Sequence, residues 1–292
     1  MPALRAAPDV PVGGVVRLSR IALATCAAFP DGDPDDALLT AALPEARFAI
    51  WDDPSVDWDT FDLVVIRSTW DYQERRDEFL AWVRSVPRIV NPPEVVEWNT
   101  DKRYLGELPG AVHTEYLAPG DAFAAPQGEY VVKPTVSAGS RHTARFGAGE
   151  EARAAALVAE IHAGGRTAMV QPYLHAVDEH GETALLYFDG VYSHAARKGP
   201  ILRPGAEPTS EVFATEEIEP RDPPADERAL ADAVVARLGG LAYARVDVVR
   251  GPDGAGGVPL LLELELTEPS LFFAQGEGAA ERFAAAIRSR LP

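Results

Sequence analysis

The chain has 292 residues, 47% hydrophobic and 25% charged, with a formal net charge of −18. Negative charge spread along the whole length opposes non-specific binding to nucleic acid or to an anionic membrane surface, and no apolar run approaches the ~20 residues that span a bilayer. The single cysteine, Cys26, excludes an intrachain disulfide. Pro and Gly interrupt residues 1–19, which read as a flexible tail and not a secretory signal, so a cytoplasmic location is expected.

From Arg20, apolar runs of strand length alternate with helical patterns: RIALATCAA, PDDALLTAAL, RFAIWD, FDLVVIRST and ERRDEFLAWVRSV. This alternation predicts a small α/β unit with a parallel sheet over residues 20–92, and IVNPPEVVEW reads as the link out of it. Asp31, Asp33, Asp35 and Asp36 lack the glycine and closing glutamate of a calcium loop, so they read as a solvated helix start. RSTWDY follows the third strand, where open α/β sheets bind ligands. Arg67 is therefore a candidate for a substrate carboxylate, with Ser68 and Thr69 as donors. The alternative is a structural ion pair for Arg67 and packing of Trp70 between domains.

A second unit, 93–172, begins with helical TDKRYLGEL, Thr100 being its expected N-cap. Strand EYVVKP, the small-residue loop TVSAGSRHT, helix EEARAAALVAEIH and strand TAMVQPYL follow. The third unit, 173–292, opens with ETALLYFDGVYSHAARK, in which Asp189-Gly190 predicts a hairpin. Residues 199–222 read as a surface loop, either inert or closing over a site. ERALADAVVARL carries Leu230, Val234 and Leu238 as an apolar stripe. Turn formers then join strands YARVDVV and VPLLLELELTEPS, and EGAAERFAAAIRSRL closes the chain as a helix.

That last strand pair carries the sharpest chemical signal. Side chains at i and i+2 share a strand face, so Glu263 and Glu265 stand side by side, and antiparallel pairing adds Asp247 with Arg245 beside it. A solvated edge strand is one explanation. Both strands are otherwise rich in Leu and Val, however, and a Mg²⁺ ion carrying substrate phosphates relieves the repulsion. Phosphate in turn calls for cations and backbone donors. Lys133 ends a strand just before Ser137, Gly139 and Ser140, which suits phosphate oxygens, although no Walker sequence occurs and a plain turn has the same composition. Taken alone, Lys102 reads as a surface lysine and Gln171-Pro172 as an ordinary strand end. The histidines show no metal spacing; His142 and His194 read as satisfied or exposed, and Cys26 as a buried small residue.

In order, Lys102, VVKP with its loop, VQPYL, GETALLYFDG, RVD and ELELTEPS resemble the ATP-grasp superfamily of the glutathione-synthetase-like type, over residues 95–291. With RSTWDY, the ending looks like the branch containing O-ureidoserine cyclo-ligase of cycloserine biosynthesis and related amino-acid ligases. The resemblance implies an α/β (α+β) architecture, an N-terminal parallel-sheet domain plus two α+β subdomains clasping ATP. It implies Lys102 and Lys133 on the ATP phosphates, the loop with Ser137, Gly139 and Ser140 as a lid, and Gln171, Pro172, Tyr173 and Leu174 around adenine. Glu182 would reach the ribose or the phosphates. Asp247, Glu263 and Glu265 would hold two Mg²⁺ ions, with Mn²⁺ able to substitute. Many relatives have Asn where Glu265 stands, which gives this site extra negative charge. Arg245 would be catalytic, on the transferred phosphoryl group, and Arg197, Lys198, Thr267 and Ser270 would face the acceptor pocket. The implied reaction joins a small carboxylate and an amine, inter- or intramolecularly, through an acyl phosphate, releasing ADP and phosphate in natural-product biosynthesis. Dimers or tetramers are implied as the assembly. Two other functions compete: a ligase extending peptides or protein termini, and a non-catalytic nucleotide-binding regulator.

Overall fold

A computed structural model describes residues 20–139, 141–206 and 217–292. The expected tail, Ser140 and the middle of the expected 199–222 loop lie outside the described residues.

Strand β1 (Ile21–Thr25), helix α1 (Asp36–Ala42), β2 (Ala46–Ile50), β3 (Leu63–Ile66), α2 (Arg76–Ser85), β4 (Ile89–Val90) and α3 (Pro93–Asn99) come first. The strands form a parallel sheet in the order β2-β1-β3-β4. β1 is buried along its whole length, as a parallel strand covered on both faces requires. IVNPPEVVEW is therefore not a linker: its first residues pair with β3, and Pro93, which has no N–H to lose, opens a helix. Thr100 is also reassigned. It ends α3, and the 3-10 turn Lys102–Glu107 is capped by Asp101, whose carboxylate accepts from the Arg103 N–H at 3.1 Å.

A second, antiparallel sheet comprises β5 (Glu115–Leu117), β6 (Tyr130–Pro134), β7 (Ala144–Phe146) and β8 (Ala168–Pro172), in the order β5-β8-β6-β7, with α4 (Glu151–Ala163) before β8 and α5 (Ala176–His180) after it. The two-residue period of β6 puts Tyr130 and Val132 into a core with Leu157 and Ile161 of α4, leaving Val131 and Lys133 on the opposite face.

The third sheet, β9 (Glu182–Phe188), β10 (Val191–Lys198), β11 (Ile218–Arg221), β12 (Tyr243–Arg250) and β13 (Pro259–Glu265), is antiparallel in the order β11-β10-β9-β12-β13. Asp189 and Gly190 make the β9–β10 turn with φ of 54° and 73°, the paired left-handed conformations of a tight hairpin. β11 lies inside the segment expected to be a loop. Helix α6 (Ala225–Val235) buries Ala231, Val234 and Val235, with Leu230 and Leu238 at the margin and Leu238 beyond the helix end. It covers the sheet face made by Leu185, Ala244, Val246 and Leu264.

On the other face, Leu186, Phe188 and Tyr243 share a core with Leu23 and Val65 of the first sheet and with α7 (Ala279–Arg288). Phe283 of α7 is fully buried there, 4.9 Å from the Phe188 ring in stacked geometry. The N-terminal sheet thus closes one of its two faces only when the last helix of the chain docks, while α2 covers the other through Phe79, Trp82 and Val83. This sandwich holds the carboxyl end of the first sheet against the third.

Candidate active site

Along β12 the inward face changes character. Tyr243 is in the shared core, Arg245 and Asp247 come next, and Val249 lies in an apolar cluster at the far end. Asp247 is directly opposite Glu263 in the ladder, and Arg245 is opposite Glu265. The pairing slips between Asp247 and Val248, leaving Leu262 as an extra residue; bulges of this kind cluster beside active sites, where they re-aim side chains.

β13 is an edge strand, and its free edge is covered. Leu261 exchanges backbone bonds with Gly110 and Val112 at 2.7 and 2.9 Å. Farther along, the Tyr104 hydroxyl donates to the Leu264 carbonyl at 2.6 Å and accepts from its N–H at 3.0 Å. Asn99 does the same for the Leu264 carbonyl and the Leu266 N–H, at 2.8 and 2.7 Å. These neutral partners satisfy the edge and fix the direction in which Glu263 and Glu265 point.

The carboxylates are matched by cations from three elements. Arg245 grips Asp247 through two bonds of 2.9 Å, donates to Glu265 at 2.6 Å and reaches the Ser270 carbonyl at 3.2 Å. Lys198 bridges Glu182 and Asp247, both at 3.1 Å. Lys102 donates to the Ser137 carbonyl at 2.7 Å and pairs with Glu263 at 3.1 Å, so it is not the surface lysine that its isolated sequence suggests. Lys133 has no hydrogen-bond or ion-pair partner among the described residues.

Except for Asp247, which is buried beneath Arg245 and Lys198, these groups line a cavity of about 230 Å³ between the second and third sheets, lined also by Trp70 and Tyr72 from the segment after β3. Burial opposes charge on Glu263, but Lys102, Lys133, Lys198 and Arg245 outweigh it and hold that carboxyl at about 2. Glu265 has Arg245 alone at bonding distance, and burial together with Glu263 and Asp247 pushes it up to about 7. Burial lowers Lys133, whose ammonium has gained no compensating contact. Charge on this wall is thus nearly balanced while Lys133 stays uncommitted.

Gln171, Pro172, Tyr173 and Leu174 line the same cavity, as do Ser137, Gly139, Glu182, Lys198 and Ser270. Gly139 has φ of 63°, which only glycine adopts without strain. Tyr173 is braced by Arg145, 3.5 Å from its ring centre, and by a 2.5 Å bond from its hydroxyl to Asp178. Beside it, Val131, Leu174, Leu202 and Leu262 form an apolar slot. The loop after β6 rests on the first unit: the Ala138 N–H donates to Gln73 at 3.3 Å, and Arg141 pairs with Glu74.

Four expected substrate residues lie elsewhere. Arg67 is 2% exposed and held by Asp36 at 2.7 Å, and its Nη1 donates to the Pro269 carbonyl at 3.0 Å. Asp36 is accordingly buried, not solvated as the helix-start reading had it. Ser68 bonds Thr25 at 3.1 Å, Thr267 donates to Asn99 at 3.3 Å, and Arg197 turns outward to the His180 carbonyl at 3.0 Å. His142 pairs with Glu160, and buried His194 faces the Leu271 and Phe272 carbonyls at 3.0 Å. Cys26 is buried in the first core. Conversely, Tyr72, Tyr104, Glu268 and Phe272 line the cavity unannounced. Only Glu268 had a sequence cue, an acid two residues past an acidic strand end, and strand periodicity cannot be extended into the loop that carries it.

Residues 21–91 match the family described as the N-terminal domain of the D-cycloserine synthetase DcsG. Over 270 residues, 84% of this chain and 89% of the relative, the sequence is 42% identical to the cycloserine biosynthesis protein DcsG of Streptomyces lavendulae. The chain belongs to the DcsG family of ATP-grasp ligases. The crystal structure of D-cycloserine synthetase DcsG superposes with a TM-score of 0.81 at 37% identity, covering 94% of this chain and all of that one. A D-alanine–D-alanine ligase from Bacillus anthracis complexed with ATP shares the fold at a TM-score of 0.63 and 13% identity, covering 93% of this chain and 97% of that one. This DcsG-family member is an ATP-dependent ligase of mixed α/β architecture. No helix among the described residues is long and apolar enough to cross a membrane.

Among the described residues no three acidic, His or Cys side chains stand close enough to ligate one ion as they are; Asp247, Glu263 and Glu265 are each turned to a cation. The donor set still suits a hard divalent ion: three neighbouring carboxylates, oxygen only, one of them held near 7 by burial and by the other two acids.

Proposed function

We propose that the cavity binds MgATP and activates the carboxylate of a serine-derived amino acid, O-ureidoserine, for intramolecular amide formation. The observation that carries this is the charge layout: Asp247, Glu263 and Glu265 on neighbouring strands with Arg245 among them, and a half-buried Lys133, without an ion-pair partner among the described residues, within electrostatic reach of Glu263. The product named for the DcsG relative, cycloserine, favours ring closure over joining two molecules.

In this reading residues 20–92, 93–172 and 173–292 act as three units. Lys102 and Lys133 neutralise the phosphates, the loop with Ser137 and Gly139 covers them, and the slot from Gln171 to Leu174 takes the base. Asp247, Glu263 and Glu265 would hold Mg²⁺, two ions with Mn²⁺ able to substitute, which neutralise the β- and γ-phosphates. Arg245 neutralises charge on the transferred phosphoryl group and the acyl phosphate, with Lys198 and Ser270 toward the acceptor. A carboxylate would have to expel oxide; once phosphorylated it expels phosphate instead, so the protein's task is positioning and charge neutralisation. A substrate nitrogen then attacks the carbonyl, and the closed cavity keeps water from doing so first.

Incubating the full chain with ATP, Mg²⁺ and O-ureidoserine tests this by ADP release and mass analysis of the product. Ring-closed product in step with ADP is expected. ADP release that needs a second amino acid and yields a linear amide would establish intermolecular ligation instead.

A further inference from the structure

The cavity's carboxylates are not equally served. Glu182, Glu263 and Glu265, like the buried Asp247 beside them, each have a cation within 3.1 Å. Glu268 also lines the cavity and is only 9% exposed, yet among the described residues no Lys, Arg or His lies within ion-pair distance of it. A buried carboxylate without a counter-charge is costly. Its environment reflects this: burial, then the charge of Glu265, pushes the carboxyl up to about 8, against the opposing charge of Lys102 and the Tyr72 hydroxyl.

Its placement is tightly built. The Trp70 indole N–H donates to the Glu268 carbonyl at 3.0 Å, and Arg67, itself locked to Asp36, donates to the next carbonyl, that of Pro269, at 3.0 Å. RSTWDY therefore clamps the backbone at the point where the Glu268 side chain leaves it. Trp70, Tyr72 and Phe272 line the same cavity, and aromatic faces favour organic cations.

We infer that Glu268, with the Tyr72 hydroxyl, is the ammonium subsite of the acceptor pocket, pairing with the free α-ammonium of the amino-acid substrate while RSTWDY acts as its positioning frame. The inference rests on the ligase reading above. An α-amino acid anchored there carries its carboxylate two bonds away, on the Glu265 and Arg245 side. The subsite therefore selects α-amino acids over isosteric α-hydroxy acids, and it contributes nothing to nucleotide binding.

The test compares O-ureidoserine with its α-hydroxy analogue as ADP-releasing substrates of the wild type, Glu268→Gln and Glu268→Asp, with KM for ATP measured alongside. In the wild type the amino acid should be preferred. Glu268→Gln should lose about 10- to 100-fold in kcat/KM for the amino acid, the range of a charge-assisted bond, while the hydroxy analogue and the KM for ATP stay within about twofold; Glu268→Asp should recover part of the loss. Equal losses for both substrates, or no loss for either, would overturn the subsite. Wild-type protein that releases no ADP with O-ureidoserine, while binding ATP normally, would instead remove the substrate assignment and the subsite with it.

Discussion

Asp247 and Glu263 face each other directly across the β12–β13 ladder, yet they draw their counter-charges from different elements: Arg245 and Lys198 for the first, Lys102 for the second. Two adjacent acids on neighbouring strands would repel; here a strand neighbour, a strand two places away and a helical turn each lend a cation. In the proposed complex, phosphate oxygens compete for those same cations and free the carboxylates for the metal.

Lys102 and Lys133 should therefore differ in stability effects while sharing a functional one. Lys102→Met leaves Glu263 and the Ser137 carbonyl without their donor, and breaking a buried pair in this way costs about 3–5 kcal/mol. Lys133→Met removes a cation whose proton affinity burial has already lowered, so its ligand-free melting temperature should equal or exceed the wild type's. Both variants should lose ADP release. Thermal unfolding without nucleotide decides it; equal destabilisation by the two would contradict the asymmetry.

The Arg67–Asp36 pair makes a claim about stability that is separate from nucleotide binding. Asp36→Asn strands a buried guanidinium and is expected to destabilise by about 3–5 kcal/mol, with KM for ATP unchanged. Urea unfolding checks this. A change within about 0.5 kcal/mol, as for an ordinary surface site, would restore the solvated helix start.

Glu268 gives a pH signature with a definite sign. Its carboxyl is raised from 4.5 to about 8 in the folded chain, so between those values the folded state holds a proton that the unfolded state has released. Stability from this group is complete below 4.5 and falls as pH rises to 8, by at most about 1.4 kcal/mol per pH unit. Glu268→Gln has no such proton and should lose that slope, gaining on the wild type as pH rises from about 5 to 8. Parallel stability profiles for the two proteins would contradict the assignment.

Much of the architecture was legible where periodicity speaks. The parallel sheet follows from runs such as IALAT and LVVI, and the hairpin from Asp189-Gly190, because two-residue alternation and left-handed turn chemistry are local properties. The Asp247, Glu263 and Glu265 grouping was legible for the same reason, since one antiparallel turn connects the two strands. Arg67 was not. Its partners, Asp36 and Pro269, are 31 and 202 residues away, and only tertiary packing brings them together. Thr100 misled because a good capping residue ended one helix immediately before Asp101 capped the next turn. Glu268 and Tyr72 meet only in the assembled cavity, and no spacing within either segment announces it.

The most direct test of the central claim is calorimetric titration of a non-hydrolysable ATP analogue, with and without Mg²⁺, into the wild type and an Asp247→Asn/Glu263→Gln double variant. If these carboxylates hold the metal on the nucleotide, Mg²⁺ should tighten wild-type binding by about 100-fold, a few kcal/mol of charge neutralisation, and the gain should collapse in the variant. An undiminished Mg²⁺ gain in the variant would place the metal elsewhere and contradict the account.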